Sequence, residues 1–450
     1  TENNICPFDS IIDNKGNENV VIMGRKTYES IPSKFIPLKN RTNIVLTSDT
    51  SYNKNTNKNT NKNIIISNSI TELLILLNKN KLKYGNIFII GGVDIYNLFI
   101  NLQIVRYIYI STIMCNFKCD KFFLFDKKKF TSIHDKMIID YNTSGKIPVR
   151  LQKLEYFNKE ENNYLILLKK ILNKGVYNLD RTNVGTLSLF GKTLKYNIRN
   201  YRLPLFTHRK IFVRGIIEEL LFFISGSPDT KKLEEKKVNI WKGNTSRSFL
   251  DANGLYSFRE GEYGESYGFN LRHYSAKYNG PDEDYTNKGF DQLKNVIYLL
   301  KNNPTSRRIL FTYHNPITMD KIPLPACHII YQFHVNINTN ELSCSFYQRS
   351  SDYILANCFN VCSASILVFM LCHITGLIPG KIIHNMGNVH IYMNHIEDAK
   401  NMICNKPLCF PIMYIDDLHN DIKNIDDFEL KHFKLLLYNS HKKYSLQMAV

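Results

Sequence analysis

Residues Pro323–Asn360 read PLPACHIIYQFHVNINTNELSCSFYQRSSDYILANCFN. Cys327 stands beside His328, followed by Gln348-Arg349-Ser350, Asp352 and Phe359-Asn360. A thiol attacks as its thiolate, and an adjacent cation lowers its pKa. Arg349 is a permanent cation with a planar fork of donors, suited to a thiolate and to a phosphate. The runs HIIYQFHVNI and ELSCSFYQ flank an Asn-rich turn and predict a hairpin. Pairing its strands brings Arg349 close to Cys327. Spacing alone leaves two readings open: an activated nucleophile, and a buried strand cysteine, the usual fate of a free Cys.

Around this stretch, 450 residues give room for two or three domains with full-sized cores. Hydrophobic residues at 44% fit a globular protein. The net charge of +18 attracts anions: nucleic acid, acidic membranes or phosphorylated metabolites. The ten cysteines are scattered without a CxxC pair, which predicts reduced thiols in a cytoplasmic protein and no metal site. The first residues are polar and acidic and predict no signal peptide. Val361–Pro379 lacks Asp, Glu, Lys and Arg and is long enough to span a membrane. Its His373 and its Ser, Thr and Cys residues favour a buried core helix, so no membrane association is expected.

Upstream, strands and helices alternate, predicting an α/β sheet. VVIM runs into Gly24, a short helix follows, and NIVL ends at Thr47-Ser48. Arg25, Lys26 and Thr27 beside a helix start form a natural phosphate site. The Asn/Lys tract 51–63 reads as a floppy loop. A strand (NIIIS), a helix (SITELLILLNK) and a strand (NIFII) lead to Gly91-Gly92. Paired glycines permit close backbone approach to a ligand, or form a plain turn. RLQKLEYFN is the last strand, and YLILLKKILNKG opens a new helical pattern. The expected organisation is a first domain over 1–157, a short linker over 158–162 and a second domain over 163–450.

In the second domain the Cys-His, Gln-Arg-Ser-x-Asp and Phe-Asn signals join others in order. These are Asp180-Arg181-Thr182 with VGTLSLFGK, RGIIEELLFFISG, Ile240-Trp241 with GNTSRSFLD, Tyr267-Gly268, PTSRR at 304–308, GNVHIY at 387–392 and the terminal Met448-Ala449-Val450. The domain resembles thymidylate synthase. The resemblance implies an α+β homodimer that methylates dUMP with 5,10-methylenetetrahydrofolate. Cys327 would attack the pyrimidine, and Arg349 would hold the phosphate and favour the thiolate. Asn360 would read the base, Tyr267 would help remove a proton, and Glu219 would relay protons from an apolar helix. Burial would raise the pKa of Glu219, whereas Glu218 fits a helix-surface acid. For dUMP the resemblance adds Arg181, Ser350, Asp352, His390 and Tyr392, with Arg307 and Arg308 crossing to the partner's phosphate. Ile240, Trp241, Asn244, Leu355 and Phe359 would wall the folate pocket, with Asp352 beside them. Ala326, Leu271, Tyr313-His314, Asn388 and the Leu-Ala-Asn-Cys run at 355–358 depart from the family's usual residues. Arg209 replaces a Lys expected near the folate tail.

The first domain resembles dihydrofolate reductase through VIMGRKTYESIP, PLKNRTNIVLTS and FIIGGVDIY. That implies NADPH held by Gly24, Arg25, Lys26, Thr27, Thr47, Ser48, Gly91 and Gly92, and dihydrofolate met by Arg41 and Ser111. Roughly the first third of that family's domain precedes this motif, whereas nineteen residues precede Val20 here. The resemblance therefore implies an N-terminally incomplete reductase with an open sheet edge and reduction of dihydrofolate in doubt. Asp9 is the candidate acid, against a disordered terminus. The fusion resembles the bifunctional reductase–synthase family of protozoa, apicomplexan in wording. The competing reading is a degenerate relative that binds nucleotide or RNA without turnover. Retention of Cys327, Arg349, Asn360 and Glu219 argues against it.

Overall fold

The computed structural model describes residues 16–52, 64–142, 145–418 and 420–448. Asp9 and most of the Asn/Lys tract lie outside them. The chain divides into two compact units at Phe157/Asn158.

The first unit contains a four-stranded parallel sheet in the order Ile64–Ser67, Thr42–Leu46, Glu18–Gly24, Tyr84–Ile89. Val20 to Met23 are at most 1% exposed. Such an unbroken apolar run is what a strand covered on both faces requires. The helix Ile70–Lys79 starts where Ser69 accepts the Glu72 amide at 3.1 Å. Tyr107–Ile113, Gly145–Tyr156 and Phe130–Asn142 form a separate antiparallel sheet in that order. Among the described residues, Tyr84–Ile89 and Tyr107–Ile113 each pair along one side only. The latter carries Tyr109 and Ile113 at 43% and 48% exposure.

The second unit begins differently from the linker expected over 158–162. The helix Lys159–Lys174 already starts at Lys159. Asn158 caps it by accepting the Glu161 amide at 3.2 Å. Glu160 pairs with the buried Arg202. The fully buried Glu161 carboxylate accepts bonds from the Thr207 amide and hydroxyl, at 2.6 and 2.7 Å, and from the His208 amide at 2.8 Å. Linker-like polarity here belongs to a capped first turn whose acids have buried partners.

A six-stranded sheet follows, ordered Leu310–Thr312, His328–Asn336, Glu341–Asp352, Ile378–Tyr392, Thr186–Asn197, Val176–Asn178. The two central strands are parallel and the other neighbours antiparallel. The crossover between the parallel pair contains the helix Asn357–Thr375, the one described helix long and apolar enough to cross a membrane. Ile366 to Leu371 are at most 2% exposed in the largest core cluster, so it is the core helix expected. A helix apolar all round belongs inside.

Candidate active site

The hairpin positions the nucleophile. His328–Asn336 pairs antiparallel with Glu341–Asp352, setting His328 opposite Gln348 with a register shift between His328 and Ile330. Just outside that ladder, the Arg349 amide donates to the Cys327 carbonyl at 2.9 Å. The Arg349 guanidinium donates to the carbonyls of Ala326 (2.9 Å) and Pro325 (2.8 Å). The Cys327 amide donates to Tyr267 Oη at 2.7 Å.

The parallel register supplies the next wall. It sets Ser350 beside Asn388 and Asp352 beside His390. His390 Nδ1 lies 2.9 Å from Asn388 Oδ1. A third wall comes from the helix Val213–Ile224. Its Glu219 carboxylate accepts the Trp241 indole N–H at 2.9 Å. Gly268 allows the short helix Tyr267–Arg272 to approach, since a Cβ there would lie 2.9 Å from the Phe223 carbonyl oxygen. Tyr267 consequently stacks on Phe223, with ring centres 4.8 Å apart.

These walls enclose a cleft of about 790 Å³. It brings together Cys327, Glu219, Tyr267, Arg349, Asn360, Arg181, Ser350, Asp352, His390 and Tyr392. Ile240, Trp241, Asn244, Leu355 and Phe359 line it too. Arg307 and Arg308 do not line it; both are solvent-exposed. Asp180, Asn178 and Leu446 also line the cleft without having been singled out. The Asp-Arg-Thr run was the available signal for Asp180. The position of Leu446 depends on how the C-terminal segment returns to the core, which no local pattern records.

Burial sets the protonation states. Glu219 is pushed up to about 7 by burial, which outweighs the opposing Trp241 hydrogen bond. Burial lowers His328 to about 4, so it is neutral beside Cys327; its Nδ1 lies 2.8 Å from Tyr331 Oη. The Cys327 thiol is pushed up by burial, although Arg349, Tyr267 and Arg181 all pull it down. Arg349 thus acts in the expected direction, favouring the thiolate, but in the cleft as it stands desolvation outweighs it. Glu218 likewise differs from the helix-surface acid expected. Its side chain is 5% exposed and meets Lys236 Nζ at 2.8 Å. Arg209 is 5% exposed and donates to the carbonyls of Ile354 and, at 3.5 Å, Leu355.

In the first unit the candidate groups gather at the C-terminal ends of the parallel strands, where ligands of such sheets bind. The Gly24 amide donates to the Gly91 carbonyl at 2.8 Å. A Cβ on Gly92 would come within 3.5 Å of Thr27 Oγ1, and Gly91 has φ +119°. Arg25 reaches Asp49 at 3.4 Å, just beyond Thr47 and Ser48. The glycines thus leave a backbone cradle beside a cationic helix start, which fits a dinucleotide phosphate. Arg41 precedes the opposite end of the Thr42–Leu46 strand, and Ser111 is exposed on the separate antiparallel sheet. The structure does not bring them to that cradle.

Residues 162–450 match the thymidylate synthase family and residues 12–155 match dihydrofolate reductase. The chain is 37% identical to bifunctional dihydrofolate reductase-thymidylate synthase 2 of Arabidopsis thaliana, over 96% of this chain and 81% of that protein. The chain belongs to the bifunctional dihydrofolate reductase–thymidylate synthase family. Similar relatives are the Leishmania major enzyme, 35% identical over 96% of this chain and 86% of its own, and that of Plasmodium chabaudi, 36% identical over 96% and 83%. As a dihydrofolate reductase–thymidylate synthase, the chain joins dihydrofolate reduction with NADPH to dUMP methylation with 5,10-methylenetetrahydrofolate.

Proposed function

We propose that the cleft around Cys327 is the dUMP methylation site. What carries this reading is the convergence of Cys327, Arg349, Tyr267, Glu219 and Asn360 on one enclosed volume, with the Cys327 backbone held from both sides. The Cys327 sulfur adds to the pyrimidine ring and saturates it; its elimination later restores the double bond. A dianionic phosphate at Arg349, Arg181 and Ser350 gains charge-assisted hydrogen bonds. Asn360 offers both a donor and an acceptor to the uracil edge. His390 and Tyr392 meet the ribose. Glu219, with its pKa near 7, takes and returns protons through water, and Tyr267 remains a neutral phenol beside the base. The apolar wall of Ile240, Trp241, Leu355 and Phe359 fits a flat pterin, and Asn244 and Asp352 supply its polar partners. The bound folate supplies the one-carbon unit and the hydride.

A homodimer completes this site. Arg307 and Arg308 are exposed and outside their own cleft, as donors to a partner's phosphate would be. The sheet carries exposed Phe190 (77%) and Ile378 (48%), and its hairpin turn carries exposed Ile337 (63%), apolar surface suited to a subunit interface. In the first unit, Gly24–Thr27, Thr47, Ser48, Gly91 and Gly92 hold the NADPH phosphates, while Arg41 and Ser111 serve dihydrofolate. The nine cysteines among the described residues are free thiols, which supports a reducing, cytoplasmic location. The direct test is tritium release from [5-³H]dUMP with methylenetetrahydrofolate. Catalysed release that disappears in Cys327→Ser supports the reading, and release undiminished in that variant overturns it.

A further inference from the structure

The turn Asp352–Ala356 joins a central strand to the core helix and presents Leu355 to the folate side of the cleft. Turns over binding clefts are ordinarily the mobile part of the wall. This one is fastened from several sides. The Asp352 carboxylate accepts the Ile354 and Leu355 amides at 3.2 and 2.9 Å. Tyr353 and Tyr164 exchange hydrogen bonds: Tyr164 Oη donates to the Tyr353 carbonyl at 2.7 Å, and Tyr353 Oη donates to the Tyr164 carbonyl at 3.0 Å. Both rings are fully buried and stack with centres 4.4 Å apart. From a third direction the Arg209 guanidinium donates to the carbonyls of Ile354 and Leu355. Where the core helix begins, Cys358 Sγ accepts the Phe206 amide at 3.3 Å.

Tyr164 belongs to the first helix of the second unit and Arg209 to the segment that Glu161 holds through Thr207 and His208. The turn is therefore set from behind, by groups that face the core. Arg209 occupies the position where a basic residue was expected to meet the folate tail, yet it is 5% exposed and its Nη2 donates to the turn's carbonyls. Removing the guanidinium would leave the buried Ile354 carbonyl without this donor, which costs more than an average hydrogen bond is worth.

Building on the folate side of the site proposed above, we propose that Arg209 and the Tyr164–Tyr353 pair are positioning residues that fix the height of the Asp352–Ala356 turn over the folate pocket. Arg209 does so through the turn's carbonyls and is not a receptor for the carboxylates of the folate tail. Displacing the turn moves Leu355 and loosens the pterin wall. The dUMP phosphate, gripped from the Arg349 and Arg181 side, is little affected.

The test compares Tyr353→Phe, Tyr164→Phe and Arg209→Met with the unsubstituted enzyme. The readouts are the KM for methylenetetrahydrofolate, the KM for its tailless pteroate analogue, and the dUMP Kd from calorimetry. Each variant is expected to raise the folate KM about three- to ten-fold, the span of one lost buried hydrogen bond. The dUMP Kd should stay within about two-fold, since the turn does not grip the phosphate. Arg209→Met should raise the KM of the tailless analogue by the same factor as that of the tailed folate. A defect confined to the tailed folate would overturn the role given to Arg209. An unshifted folate KM in both Phe variants would overturn the turn's fastening. If Arg209→Met does not fold, Tyr353→Phe, which removes one oxygen and keeps the ring, still decides. An unsubstituted enzyme without tritium release would sink the site assignment itself, whereas an active one with unshifted variants would sink only this proposal.

Discussion

The two units assemble their ligand sites by opposite routes. In the second unit, groups from distant parts of the chain meet on one cleft because a hairpin, a parallel strand pair and two close helices converge. In the first, the candidate nucleotide-binding groups come from the ends of neighbouring strands of one parallel sheet, while Arg41 and Ser111 lie elsewhere. The first arrangement encloses and desolvates its residues, raising Glu219 to about 7 and lowering His328 to about 4. The second leaves Arg25 and Asp49 well exposed, at 39% and 37% of their side chains. Enclosure tunes acids and bases; exposed strand ends mainly present donors and charge. Chemistry that needs a nucleophile and a proton relay therefore belongs to the enclosed site.

Four measurements test this contrast. The largest effect is expected for Cys327→Ser, because a hydroxyl is far less ionised than a thiol. Turnover of dUMP should fall at least about a thousand-fold with dUMP still bound, and dihydrofolate reduction should be unchanged. Normal methylation by the variant would remove the covalent step.

Mixing Cys327→Ser with Arg307→Ala, after subunit exchange, comes next. Hybrids with one intact site should restore about a quarter of wild-type activity if subunits pair at random. No recovery despite demonstrated exchange would make the enclosed site a one-chain construction.

Glu219→Gln is expected to lower turnover about a hundred-fold, as loss of a proton relay does. It should also change stability with pH in a defined direction. Between its ordinary value of 4.5 and about 7 the folded protein holds a proton that the unfolded chain has released. Glu219 therefore lowers stability progressively through that window, by at most about 3 kcal/mol above it. The Gln variant should melt higher than the parent at pH 8 and alike at pH 4. Equal melting at both would mean that the carboxylate is well solvated.

The smallest effect belongs to the open site. Arg25→Ala should raise the KM for NADPH about three- to ten-fold and that for NADH less, since an exposed guanidinium contributes a modest charge-assisted bond. Equal shifts for both nucleotides would take Arg25 away from the extra phosphate.

Much of this was legible from residue patterns. The hairpin followed from two strand-like runs flanking an Asn-rich turn, and with it the approach of Arg349 to Cys327. The apolar surroundings of Glu219 announced its raised pKa. What escaped was long-range. The Trp241–Glu219 bond spans a fold-dependent distance, and the Glu218–Lys236 pair turned an expected surface acid into a buried one. The sign of the Cys327 shift required knowing how much water the cleft excludes. The polar run after Phe157 looked like linker because its acids' partners, Arg202, Thr207 and His208, lie some forty residues downstream.

Asn158 caps its own helix, and Glu160 and Glu161 take all of their named partners from within the second unit. A gene opened immediately before Asn158 would carry every one of these bonds with it. One opened a few codons later, at Asn162, would strip the cap and leave the Arg202 guanidinium and the Thr207 amide in the interior without their anions. For anyone recombining or separately expressing the two catalytic halves, Phe157/Asn158 is the seam, and four residues decide between a clean cut and a damaged one.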